Sequence, residues 1–103
     1  MKPRVGIIGA GIYGTNMLKA YSAAHRMGKI ELVSLAEINE EVLKEQEIRF
    51  NVKGYVDYKD MLDKEDLDAV AIVTPDFLHR EITLEAANRG VHILVQKPLD
   101  TST

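Results

Sequence analysis

The 103-residue chain contains no cysteine. That excludes disulfides, thiolate metal sites and cysteine nucleophiles together, and it fits a reducing compartment. No apolar stretch is long enough to span a bilayer. The 13 basic and 16 acidic residues are interspersed, giving a net charge of -3. Without a basic stripe or a block of one sign, nothing points to nucleic acid or a membrane surface. Internal repeats, low-complexity segments and linkers are also missing. Lys2 and Arg4 before the apolar run Val5 to Met17 faintly resemble a secretion signal. The run carries Gly6, Gly9, Gly11 and Gly14 and leads into Lys19 without a small-residue cleavage pattern, so a buried strand and turn is the better reading, and a cytoplasmic protein is expected.

What is present is a 46% hydrophobic composition, enough for one core in a single domain over residues 1–103. A domain of this size buries somewhat under roughly 70% of its unfolded surface, so modest stability is expected. Strand-like and helix-like segments alternate throughout. Arg4 to Gly9 reads as a buried strand. Ile12 to Met27 reads as a helix, with Met17, Ala20, Tyr21 and Ala24 on one face and Gly28 as its stop. Ile30 to Ala36 is a second strand, and Asn39 can cap a helix over Glu40 to Phe50. Tyr55 and Val56 suggest a short strand, and Tyr58 to Leu62 one or two helical turns. Asp68 to Thr74 is an uninterrupted apolar strand, Asp76 to Arg89 a helix closed by Gly90, and Val91 to Val95 a last strand. Continuous apolar runs imply strands buried on both faces. The expected fold is α/β, a doubly wound parallel Rossmann sheet in the order 3-2-1-4-5.

Gly9-Ala10-Gly11-Ile12-Tyr13-Gly14 matches G-x-G-x-x-G. Alone the pattern is weak, but here it leaves a strand and opens a helix, which is what phosphate binding requires. Gly9 permits the tight turn, Gly11 admits the backbone to a pyrophosphate, and Gly14 lets the helix lie close to the strand. The first-turn amides near Ile12 and Tyr13 then face the phosphates. The competing explanation is a glycine turn needed only for helix–sheet packing. No Gly-Lys-Ser/Thr follows, which argues against an NTP-type loop. Glu37 ends the second strand, 23 residues past Gly14, where a carboxylate accepts hydrogen bonds from the adenosine ribose hydroxyls. It also repels a 2′-phosphate, and Ile38 and Asn39 supply no arginine, so NAD is favoured over NADP.

Ligands of a doubly wound sheet sit beyond the carboxyl ends of its strands. Two further motifs fall there: Thr74-Pro75-Asp76-Phe77-Leu78-His79 and Gln96-Lys97-Pro98. Lys97 would place an ammonium near the nicotinamide, where it could hold a substrate hydroxyl and shuttle its proton. From spacing alone, a surface lysine before a loop proline reads equally well. His25 reads as a helix-end residue suited to the dipole, and His92 as a structural strand residue.

The opening Arg-Val-Gly-Ile-Ile-Gly-Ala-Gly-Ile-Tyr-Gly, Thr74-Pro75 with His79, and Gly90-Val91-His92-Ile93-Leu94-Val95-Gln96-Lys97-Pro98 resemble one family. It is the N-terminal domain of the glucose–fructose oxidoreductase, inositol dehydrogenase and rhizopine catabolism (Gfo/Idh/MocA) oxidoreductases. The resemblance covers essentially the whole chain. It implies that Lys97 is catalytic, that Gln96 contacts the nicotinamide ribose, and that Thr74 and Pro75 lie beside the dinucleotide with His79 nearby. Two positions depart from the family pattern: Gln96 stands where glutamate is usual, and Asp76 where asparagine is frequent. A second domain supplying substrate contacts is implied, so this chain is expected to be the cofactor half of a longer homo-oligomeric dehydrogenase acting on a sugar, inositol or related polyol. The alternative is a free-standing NAD-binding sensor or interaction module; a methyltransferase reading ranks third.

Overall fold

A computed structural model describes residues 2–9, 11–74 and 76–96. Strands β1 (Arg4–Ile8), β2 (Glu31–Ala36), β3 (Lys53–Tyr55), β4 (Ala69–Ile72) and β5 (His92–Gln96) alternate with helices α1 (Gly11–Arg26), α2 (Glu40–Phe50), α3 (Tyr58–Lys64) and α4 (Asp76–Asn88). All strand pairs are parallel, and the order is β3-β2-β1-β4-β5, as the sequence predicts. Tyr55, Ala36, Ile8, Ile72 and Gln96 pair in succession, so the five strands finish in one row across the sheet.

The two faces carry separate cores. Ile7, Leu32, Leu35 and Ala71 meet Leu18 of α1 and Leu43 of α2. Ile8, Ala36, Val70 and Ile72 meet Met61 and Leu62 of α3 and Ile82 and Ala86 of α4. Burying each large aliphatic side chain contributes about 1.5–3 kcal/mol, and β4 is buried along its whole length. This two-sided burial is why the strands read as unbroken apolar runs. Two bulges adjust the ladder, one skipping Val33 between β1 and β2 and one skipping Leu94 between β4 and β5.

Glycines set how closely the layers approach. A Cβ on Gly6 would lie 2.9 Å from Leu67 Cδ1 and 3.1 Å from Met61 Cε, so the ends of these side chains, Met61 on α3 and Leu67 just past it, would have to shift to admit one. Gly54 is placed likewise against α2, whose Glu47 Oε2 also accepts the Gly54 N–H at 2.9 Å. Neither contact follows from sequence spacing, although a glycine inside a buried strand is a general sign of close approach.

Several expectations shift. The inward residue of α1 is the fully buried Leu18, whereas Ala20, expected on that face, is exposed. Alanine is indifferent to which way it points, and the rotation is set instead by Leu18 with Met17 and Tyr21 packed beside it. His25 Nδ1 accepts the Leu32 N–H at 3.1 Å. The ring bridges α1 to β2 from the last turn of the helix, where the sequence places it. His92 is exposed, and its backbone N–H donates to Asp68 O. β3 ends at Tyr55 because Glu37 N–H takes the Tyr55 carbonyl at 2.9 Å, leaving Val56 beyond the ladder. α3 extends to Lys64 from an Asp57 cap that accepts the Lys59 N–H.

Two polar ties pin α3. Arg89 Nε donates to Asp63 at 2.7 Å, joining α4 to α3 and holding the Asp63 carboxyl below its usual range. The buried Tyr55 hydroxyl donates to Glu65 Oε2 at 2.6 Å; burial first, then this carboxylate, push the phenol up to about 12. A folded value above the unfolded value of about 10 means stability that is complete below pH 10 and lost as pH rises towards 12. Urea melts of wild type and Tyr55→Phe should therefore differ most at neutral pH and converge across that alkaline window.

Candidate functional site

Just past the common strand ends, the chain forms a cleft of about 320 Å³. Its floor is Ile8 and Ala36, the last residues of β1 and β2. Gly9, Glu37, Val56, Val73 and Thr74, each one or two steps beyond a strand, form the rim, and Leu78 and Ile82 of α4 form a wall with Tyr58. Ile38 stands at the mouth with 79% of its surface exposed. The lining is apolar apart from Glu37, Thr74 and the Tyr58 phenol, whose hydroxyl is engaged by Glu81 at 3.0 Å. Such a slot suits a flat, weakly polar ring held by dispersion, with polar groups at one end.

Gly9 has φ +84, and its N–H donates to Ala36 O at 2.9 Å. A Cβ here would stand 2.0 Å from the Val73 carbonyl oxygen. Val73 N–H in turn donates to Ile8 O at 2.9 Å. The first glycine of the motif is thus wedged between the ends of β2 and β4. Its turn aims the chain into α1, which begins at Gly11 and carries Ile12, Tyr13 and Gly14 in its first turn. Sixteen residues of aligned peptide dipole then give that end a positive field for a pyrophosphate.

Glu37 is only 9% exposed, and its Oε2 accepts the Asn39 N–H at 2.7 Å. This short, charge-assisted bond fixes the carboxylate at the end of β2. Thr74 is 5% exposed, and its Oγ1 is buried without a hydrogen-bond partner. Leaving a buried hydroxyl unsatisfied costs about 1–3 kcal/mol, so its presence in a cleft wall points to a ligand that completes it. The residues fit a dinucleotide: an apolar slot, a carboxylate at a strand end, an orphan hydroxyl, and a helix start reached through a glycine that admits no side chain.

The structure brings Gly9, Glu37 and Thr74 to one cleft. His79 is half-buried on α4 with Nε2 unpartnered, and it is not part of the lining. Gln96 ends β5 opposite Ile72, on the same row as the cleft floor. Pro75 and Lys97 lie outside the described residues, as do the side chains of Ile12, Tyr13 and Gln96. The sequence reading missed Ile38, Val56, Tyr58 and Ile82 as cleft residues. Only their convergence in space marks them, since they come from three separate segments. Among the described residues no cluster of His, Asp or Glu could hold a metal, and no helix is long and apolar enough to cross a membrane.

Comparison with known proteins identifies the family. The profile of the Gfo/Idh/MocA oxidoreductase family, with an NAD-binding Rossmann fold, matches residues 3–103. Levoglucosan dehydrogenase of Pseudarthrobacter phenanthrenivorans is 35% identical, over 92% of this chain and 26% of its own. Inositol 2-dehydrogenase of an Arthrobacter species is 33% identical, over 93% of this chain and 28% of its own. The WlbA dehydrogenase of Bordetella pertussis, solved with NADH and UDP-GlcNAcA, superposes with a TM-score of 0.81 at 29% identity, covering 90% of this chain and 28% of that one. The chain thus spans about a quarter of the length of these relatives. With its matched sequence, sheet order and glycine turn, the chain belongs to the Gfo/Idh/MocA oxidoreductase family as an NAD-binding Rossmann domain.

Proposed function

We propose that this chain is the cofactor-holding part of a longer dehydrogenase that moves a hydride between nicotinamide and a sugar, inositol or related polyol. The observation that carries the reading is the apolar cleft bounded by the fixed Glu37 carboxylate and the orphan Thr74 hydroxyl. The adenine lies in the slot under Ile38. Glu37 accepts from the adenosine ribose hydroxyls, and its charge keeps a 2′-phosphate out. Gly9 permits the turn and Gly11 lets the backbone approach the pyrophosphate, Ile12, Tyr13 and Gly14 bring the first turn of α1 against it, and Thr74 and Pro75 are contacts to the dinucleotide. Bound NAD supplies the hydride-accepting ring. Gln96, which ends β5 on the floor row, is the contact to the nicotinamide ribose. Lys97, next in sequence, is the group that holds the substrate hydroxyl and takes its proton. His79, on α4 after Thr74-Pro75, is a contact near the dinucleotide. Substrate relationships come from the relatives, which are named as levoglucosan and inositol dehydrogenases.

Thr74→Val tests the reading with two effects of opposite sign. Removing an unsatisfied buried hydroxyl should raise the ligand-free melting temperature, by about 4–8 °C per kcal/mol regained. The same change should weaken NADH binding, measured by fluorescence titration, by about tenfold. A variant that binds NADH as well as wild type removes Thr74 from the site. If wild type shows no saturation by millimolar NADH, the whole assignment fails.

A further inference from the structure

We propose that Asn39 is a second determinant of cofactor choice, acting through Glu37 and through the start of α2; this rests on the proposed dinucleotide site. Three backbone N–H groups at this corner are already occupied from within the chain. The Asn39 N–H donates to Glu37 Oε2 at 2.7 Å. The Glu41 and Val42 N–H groups donate to Asn39 Oδ1 at 3.1 and 3.2 Å. Asn39 itself is extended, with φ -82 and ψ 109, and its carbonyl accepts the Leu43 N–H at 2.9 Å. One residue therefore caps the helix with its side chain and clamps the acid with its backbone, and the cap is what holds that backbone in place.

The chemistry follows from the position. A helix start next to the second strand is where the phosphate on a 2′-phosphorylated adenosine would look for donors, because free first-turn amides and the helix dipole both favour an anion. Here the Asn39, Glu41 and Val42 amides are engaged from within the chain, and the two residues that open the helix, Glu40 and Glu41, are acidic. Exclusion of the 2′-phosphate is thus built twice: by the charge of Glu37 and by withdrawal of the donors. Asn39 is a positioning residue for the first and supplies the second.

The test is titration of NADH and NADPH against the wild-type chain, Asn39→Ala and Asn39→Ser, with melting temperature recorded for each. Asn39→Ala loses the cap, so the Glu37 clamp loosens and two amides are freed. NADH affinity should fall about fivefold, and the NADH-to-NADPH preference should fall about tenfold. Asn39→Ser keeps a neutral capping oxygen and should restore both, which separates positioning from loss of a bulky polar group. In a Glu37→Gln background, Asn39→Ala should still raise NADPH affinity severalfold, because the donors are freed independently of the acid. If Asn39→Ala lowers the melting temperature but leaves the preference unchanged, Asn39 is only a helix cap and the proposal is overturned. If the wild-type chain binds neither dinucleotide, it is the underlying site that fails, and the two failures are told apart.

Discussion

Replacing Gly9 with alanine should cost the chain about 4 kcal/mol or more, enough to lower its melting temperature by roughly 20 °C. Two penalties add. The backbone sits at φ +84, where a Cβ costs about 1–2 kcal/mol. That Cβ would also stand 2.0 Å from a backbone carbonyl oxygen, that of Val73. Val73 cannot step aside, because its own N–H is bonded to Ile8 and it leads directly out of β4. Gly28→Ala provides the control. Gly28 has φ +77 but nothing within 4 Å of where a methyl would stand, so that substitution should show only the backbone penalty. The difference between the two melting curves isolates the clash. A Gly9→Ala chain that melts with the Gly28→Ala chain would show that the ends of β1 and β4 are less tightly joined than the geometry requires.

Glu37→Gln should raise the Kd for NADH about tenfold to a hundredfold while leaving the fold intact. The glutamine has nearly the same volume, and its amide oxygen can still accept the Asn39 N–H. What it lacks is the charge, and hydrogen bonds to a charged acceptor contribute about 1.5–3 kcal/mol where neutral ones contribute about 1. The ribose hydroxyls would therefore be held less firmly, and the repulsion of a 2′-phosphate would vanish. Competition between NADH and NADPH, followed by fluorescence, reads the loss of preference directly. Unchanged NADH affinity in a folded variant would remove Glu37 from ribose recognition.

The topology was readable in the sequence because the central strands β1 and β4 are buried on both faces and leave uninterrupted apolar signatures, whereas the edge strand β5 reads as apolar although Leu94 is 48% exposed. The glycine motif then fixed where β1 turns into α1. The finer rotations were not readable. Leu18 is the fully buried residue of α1, and the exposed His25 takes the Leu32 N–H at the end of that helix, a bond that no spacing rule marks. Gly6 and Gly54 are visible as letters, yet what they accommodate, Met61 and Leu67 for one and Leu43 and Glu47 for the other, is marked by no spacing rule. At the site, Gly9, Glu37 and Thr74 stood out because each follows a strand and bears on chemistry. Ile38 and Val56 did not, because an exposed aliphatic residue after a strand carries no signal until the opposite wall is known.

The cleft floor and rim draw on the ends of β1, β2, β3 and β4, spread from Ile8 to Thr74, with Ile82 beyond. No contiguous piece of the chain can assemble it. A ligand that enters it can recognise only the finished fold, so occupancy shifts the folding balance as a whole by mass action. In a cell, the level of dinucleotide would therefore set how often the chain opens to a protease, and the abundance of a weakened variant would follow cofactor supply as well as its own intrinsic stability.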